Sequence, residues 1–117
     1  MILKRAEELG RLVGQSEEYQ ALKRANDRLM GDPGLTGKLE HLHRLQLEMA
    51  QDAERGEAPS QATQNEMEGL MGIIQASSLY QGIVAAQSNF DKLMGRVNEQ
   101  ILEGIKLGAE SRIITLT

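Results

Sequence analysis

Apolar residues recur every three or four positions along most of this chain, the period of an α-helix with one buried face. The longest such stripe lies over residues 78–107 and passes through Leu79, Ile83, Phe90, Met94, Val97, Ile101 and Ile105. Only the step from Ile83 to Phe90 exceeds four residues, and Ala86 or Gln87 fills it. At about 1.5 Å per residue, the predicted helix is roughly 45 Å long, more than the roughly 30 Å diameter of a compact domain of this size. Part of the stripe therefore needs cover beyond a monomeric core. The other faces carry Gln87, Ser88, Asp91, Lys92, Arg96, Glu99, Glu103 and Lys106, which suit water. This helix reads as the spine of the fold and as the subunit interface, with Leu79, Ile83, Phe90, Met94, Val97 and Ile101 in or near a shared core.

Four shorter patterns precede it. Residues 2–14 place Ile2, Ala6, Leu9 and Val13 on one face, until Gly14-Gln15-Ser16 interrupts them. Ser16 suits an N-cap, with Glu17 and Glu18 in the first turn, where carboxylates favour the helix dipole. The second helix runs over Tyr19, Leu22, Ala25, Leu29 and Met30, and Gly31 suits its end. At Asp32-Pro33 the punctuation is sharpest: Asp32 caps, and Pro33 fits the first helical position, where its missing N–H costs nothing. The third stripe is Leu35, Leu39, Leu42, Leu45, Met49 and Ala53, in a helix through about Glu54. Arg55-Gly56-Glu57-Ala58-Pro59-Ser60 reads as a loop. Ser60, or Thr63 with Glu66 three residues on, starts a fourth helix bearing Met67, Leu70, Met71 and Ile74. Ala76-Ser77-Ser78 separates it from the spine. Beyond Gly108, the β-branched Ile113-Ile114-Thr115-Leu116-Thr117 predicts an extended tail over 112–117, lying on a neighbour. The expectation is one all-α domain over 1–117. It is a hairpin or bundle of about five helices with a long C-terminal helix, associating as a dimer or higher oligomer.

Composition sharpens this picture. Aromatic residues make up only 3% of 117 residues, so a core of Leu, Ile, Met and Ala is thin, and a second copy often completes such a core. The formal net charge is −4, and residues 29–76 carry three basic against eight acidic groups. With no basic stripe for phosphates, direct nucleic-acid binding is disfavoured. The acidic middle reads as a solvated surface rather than a docking site for a basic partner. There is no cysteine, which removes disulfides, thiolate nucleophiles, Cys-ligated zinc and iron–sulfur clusters, and fits a reducing cytoplasm. The longest apolar run, Ile83-Val84-Ala85-Ala86, falls far short of the about 20 residues that span a bilayer. No signal-peptide pattern opens the chain. A cytoplasmic protein with no membrane partner is expected.

No constellation for catalysis emerges. His41 and His43 lie two apart and point about 200° from each other on a helix, so they do not chelate one ion. Neither a serine elbow nor a phosphate-binding glycine loop is present. The carboxylate pairs Glu7/Glu8, Glu17/Glu18 and Glu66/Glu68 sit on amphipathic helices and read as solvated. A non-enzyme without metal or organic cofactor is expected. Gly10, Gly69, Gly72, Gly82, Gly95 and Gly104 fall inside helical patterns, each costing about 1 kcal/mol relative to alanine. Close helix approach or tolerated surface positions account for them equally well. Of six methionines, Met67, Met71 and Met94 among them, core filling explains more than a partner groove does.

Several short motifs, taken in order, resemble one family. They are Ala6-Glu7-Glu8-Leu9, Ser16-Glu17-Glu18-Tyr19 with Leu22-Lys23 and Ala25, Asp32-Pro33, Leu45-Gln46, Gly56-Glu57-Ala58-Pro59-Ser60, Ala86 and Val97-Asn98-Glu99-Gln100-Ile101. Together they resemble the YlbF/YmcA family of small helical bacterial proteins. The resemblance implies an all-α protein that associates through its helices and has no catalytic activity. It also implies kinship with regulators of competence, sporulation and biofilm formation, tied to RNA processing through a complex that works with ribonuclease Y. Some of those complexes carry iron–sulfur clusters, which this cysteine-free chain has no thiolates to hold. It also has Ser77-Ser78 where the family often has Asn-Pro. A regulatory adaptor is thus expected, against a self-assembling structural protein without a client.

Overall fold

The computed structural model describes residues 1–116, with side chains described through Ser111. Among them are five helices and no strand: α1 (Ile2–Gly14), α2 (Glu17–Met30), α3 (Pro33–Glu54), α4 (Gln61–Ala76) and α5 (Ser78–Leu116). The all-α architecture is the expected one.

The junctions between helices share a chemical device. Ser16, Ser60 and Ser77 each accept a hydrogen bond at Oγ from the backbone N–H three residues on, those of Tyr19, Thr63 and Tyr80, at 3.1, 3.1 and 3.2 Å. Each cap satisfies one of the donors a helix start leaves orphaned. Four residues after each serine stands a glutamine whose side-chain amide reaches back. Gln20 Nε2 donates to the Gly14 carbonyl, Gln64 Nε2 to Pro59 and Gln81 Nε2 to Gln75, at 2.8, 3.1 and 2.8 Å. For α2 and α5 this ties the new helix to the carbonyl end of the old one, so the chain turns with few residues. At the remaining junction Asp32 Oδ1 accepts from Leu35 N at 3.0 Å. Gly31 ends α2 at φ −85° and ψ 1°. In the 55–60 loop Gly56 has φ +74°, the one positive value among the described residues, where a side chain would be strained.

Two helical pairs meet end to end. α2 lies antiparallel along the first half of α5: Tyr19 meets Phe90, while Arg28 shares a shallow groove with Ser78. Leu22 and Ala86 are the buried residues of this pair. The α3–α4 hairpin forms the second pair. Its buried residues Leu35, Leu45, Leu70 and Ile74 are joined by Leu29 from α2 and by Leu79, Tyr80 and Ile83 from α5. The core therefore sits at one end of the molecule. Only six side chains are buried in all among the described residues, every one of them apolar.

The result is a rod. Its extents are 70 × 37 × 20 Å and its radius of gyration is 21.7 Å, where a compact chain of this length has about 13 Å. The spine is longer than its apolar stripe predicted, 39 residues. Residues 112–116, expected as an extended tail, continue α5 instead. Extending an existing helix gains a hydrogen bond for each residue fixed, which outweighs the few tenths of a kcal/mol that isoleucine or threonine costs there. Thr117 lies outside the described residues.

The interior glycines resolve toward one reading within the chain. A Cβ added at Gly10, Gly69, Gly72, Gly82, Gly95 or Gly104 would meet nothing within 4 Å. Gly72→Ala should therefore stabilise the fold by up to about 1 kcal/mol. Ile74→Ala, at a position only 2% exposed, should cost about 2–5 kcal/mol. Urea unfolding followed by circular dichroism checks both, and a destabilised Gly72→Ala would show that α4 packs closely on something.

Candidate interaction surface

The apolar stripe of α5 changes environment along its length. Leu79 and Ile83, at its start, pack against the α3–α4 core. Phe90 is half-buried, its ring 5.8 Å from that of Tyr19 and inclined at 60°, an edge-to-face contact. Leu93, Met94 and Val97 are half-buried near the start of α2. From Asn98 to Glu110 every residue is exposed. Ile101, Leu102, Ile105 and Leu107 are 45%, 65%, 62% and 54% accessible. Of the six residues expected near a shared core, five therefore have partners in their own chain, and Ile101 reaches beyond them.

A second bare stripe lies on α1. This helix has no buried residue and no side-chain N-cap; only Leu9, Val13 and Gly14 are half-buried. Ile2, Leu3 and Leu12 are 84%, 84% and 65% exposed. Its ion pairs, Arg5–Glu8 at 3.1 Å and Arg11–Glu7 at 2.6 Å, lie within the helix on open surface and contribute little. A 13-residue helix without tertiary cover is marginal in water.

Polar features elsewhere are sparse. His41 Nε2 lies 2.8 Å from Glu66 Oε1, linking α3 to α4. His43 is exposed on another face. Glu66, expected to cap α4 or stand in water, thus serves as a surface tie between helices, while Ser60 takes the cap. Among the described residues no group of three or more His, Asp or Glu is placed to hold a metal ion. No helix there is long and apolar enough to cross a membrane. A groove of 710 Å³ between the start of α2 and the middle of α5 is lined by Glu17, Glu18, Arg24, Lys92 and Arg96 among others. It is open and mixed in charge, and it holds no nucleophile paired with a base. The features with most surface at stake are therefore the two apolar stripes.

The family model described as "Control of competence regulator ComK, YlbF/YmcA" matches residues 2–106. The chain belongs to the YlbF/YmcA family. A UPF0342 protein of Alkalihalophilus pseudofirmus is 27% identical over 106 residues, which cover 87% of this chain and 86% of that one. The YlbF/YmcA match takes in α1 through α4 and the first three-quarters of α5. It therefore includes the bare stripe of α1 and that of α5 through Ile105.

Reading the sequence alone, one assigns the interface to the middle of the spine and leaves α1 as an ordinary amphipathic helix. Ile2 and Ala6 stay exposed on α1, while Leu9 and Val13 are half-buried within the chain. Tyr19 was likewise unassigned as the partner of Phe90. Because Phe90 is half-buried, Phe90→Ala should cost less than the about 3–5 kcal/mol of a fully enclosed phenylalanine. Tyr19→Ala should cost a similar amount, and the double substitution less than the sum of the two. Urea titration of the three variants measures this, and strict additivity would show that the rings do not support each other.

Proposed function

We propose that the chain is a non-enzymatic helical adaptor of the cytoplasm, acting as a homodimer or higher homo-oligomer and regulating through protein association. By this reading it resembles the regulators of competence, sporulation and biofilm formation, and its protein partner belongs to ribonuclease Y-dependent RNA processing. No nucleic acid or membrane is contacted directly.

One observation carries the reading. The accessible surface is 9059 Å², whereas a compact monomer of 12.9 kDa exposes about 6,300 Å². Part of that excess is apolar, including Ile2, Leu3 and Leu12 on α1 and Ile101, Leu102, Ile105 and Leu107 on α5. Exposed apolar surface of this extent marks association rather than catalysis. The family description, as a control protein for a competence regulator, agrees in kind.

Sedimentation equilibrium and binding to purified ribonuclease Y from the same cell test it. We expect a dimer or larger species at tens of micromolar and co-sedimentation with the nuclease. A monomer at that concentration contradicts the assembly. An oligomer that leaves the nuclease unbound, in a host whose transcript ends are unchanged when the gene is removed, supports a structural protein without a client.

A further inference from the structure

Building on the self-association proposed above, we infer that the distal half of α5, residues 98–110, is the docking site for α1 of a second copy, and reciprocally. The two copies then form an intermolecular bundle at the end of the rod away from the core.

Four observations converge on this occupant. The first is surface. The excess over a compact monomer is about 2,700 Å², more than the about 1,000–2,500 Å² that one partner gives up at a typical obligate dimer interface, so there is surface enough for one. The second is length. α1 has 13 residues, about 20 Å, and the exposed stretch of α5 from Asn98 through Ser111 is long enough to seat it.

Shape is the third. Ile101, Gly104, Ile105 and Gly108 continue the helix face of Phe90 and Val97. Gly104 and Gly108 have open space where a Cβ would stand. Two glycines one turn apart, beside isoleucines, leave a shallow trough into which an apolar ridge can settle closely. α1 offers a ridge whose open part is Ile2 and Ala6, flanked by the exposed Leu3 and Leu12, with Leu9 and Val13 half-buried in their own chain. Within one chain these glycines weaken the helix without compensation; a closely packed neighbour supplies it.

The fourth is charge. α1 carries Lys4, Arg5 and Arg11 against Glu7 and Glu8, a net of +1. Residues 98–110 carry Glu99, Glu103 and Glu110 against Lys106, a net of −2. The α1–α5 pairing therefore brings opposite net charges together, whereas α5 against α5 or α1 against α1 sets like against like. A two-fold axis satisfies both docking sites at once.

The cysteine-free chain permits a direct test. Ala6 and Ile105 lie near the middles of the two segments, so they come close whichever way the helices run. A chain carrying only Ala6→Cys is mixed with one carrying only Ile105→Cys and treated with a short bis-maleimide. A cross-linked heterodimer is expected, well in excess of either homodimer. In parallel, Gly104→Leu is followed by sedimentation. Leucine is the better helix former, so a monomer with such a substitution stays folded by circular dichroism. The dimer dissociation constant is expected to rise about tenfold or more, as overpacking at a close contact produces.

A wild-type dimer whose α1 and α5 thiols fail to join between chains would overturn the α1 assignment. So would one unaffected by Gly104→Leu. A third chain carrying both Ala6→Cys and Ile105→Cys that cross-links only within itself also overturns it, since α1 would then cover its own α5. In these cases the self-association reading stands, whereas a wild-type monomer at tens of micromolar removes both.

Discussion

The structure depends on how many apolar partners the chain can offer its own longest helix. Folding offsets the loss of chain entropy mainly by removing apolar surface from water. Here α2, α3 and α4 cover α5 from Ser78 to about Val97, and then the supply runs out. Leu35, Leu45, Leu70 and Ile74 seal the cluster at the well-packed end. At the other end α1 and the last part of α5 are helical with almost nothing against them. No buried polar or charged side chain occurs among the described residues. The distribution of Leu, Ile, Val and Met therefore sets both where the protein is firm and where it is incomplete.

That division was partly legible in the sequence. Helix boundaries were well marked because the caps are chemically explicit: Ser16, Asp32 and Ser60 are strong N-cap residues, and Pro33 can open a helix more easily than it can continue one. The length of the apolar stripe already implies that α5 outruns its own chain's cover, and the helix is bare from Asn98 onward among the residues whose side chains are described. Two readings depended on balances that a local pattern does not resolve. Ile113-Ile114-Thr115 has β-branched character, yet a helix already 35 residues long at that point propagates through it at small cost. Glu66 stands in a capping-box position behind Thr63, but Ser60 caps better and His41 lies within reach. Neither outcome follows from the residue types alone, because each depends on a competing partner brought close by the fold.

The placement of the candidate surface was harder still. Periodicity shows that a helix has an apolar face, but it does not say which other helix meets it. Leu79, Ile83 and Phe90 carry as strong a stripe as Ile101 and Ile105, yet the former have partners within the chain and the latter stand open. The interior glycines illustrate the same limit. Gly72 and Gly104 look alike in sequence, and both have open space around them in the single chain. What separates them is that Gly104 lies on the uncovered apolar face of α5, beside Ile101 and Ile105. A regulator that works by association has use for such a face, because affinity can be placed in helix packing without any catalytic geometry.

The central claim is that α1 and the end of α5 gain their stability from another chain. Amide hydrogen exchange at two protein concentrations measures this directly, since local opening free energies follow the contacts each segment makes. At tens of micromolar, amides of residues 5–14 and 98–110 should exchange slowly. On dilution to tens of nanomolar they should become fast, while those around Leu70 and Ile74 keep more of their protection. Slow exchange of α1 and distal α5 at both concentrations, in a chain shown to be monomeric when dilute, would contradict the account.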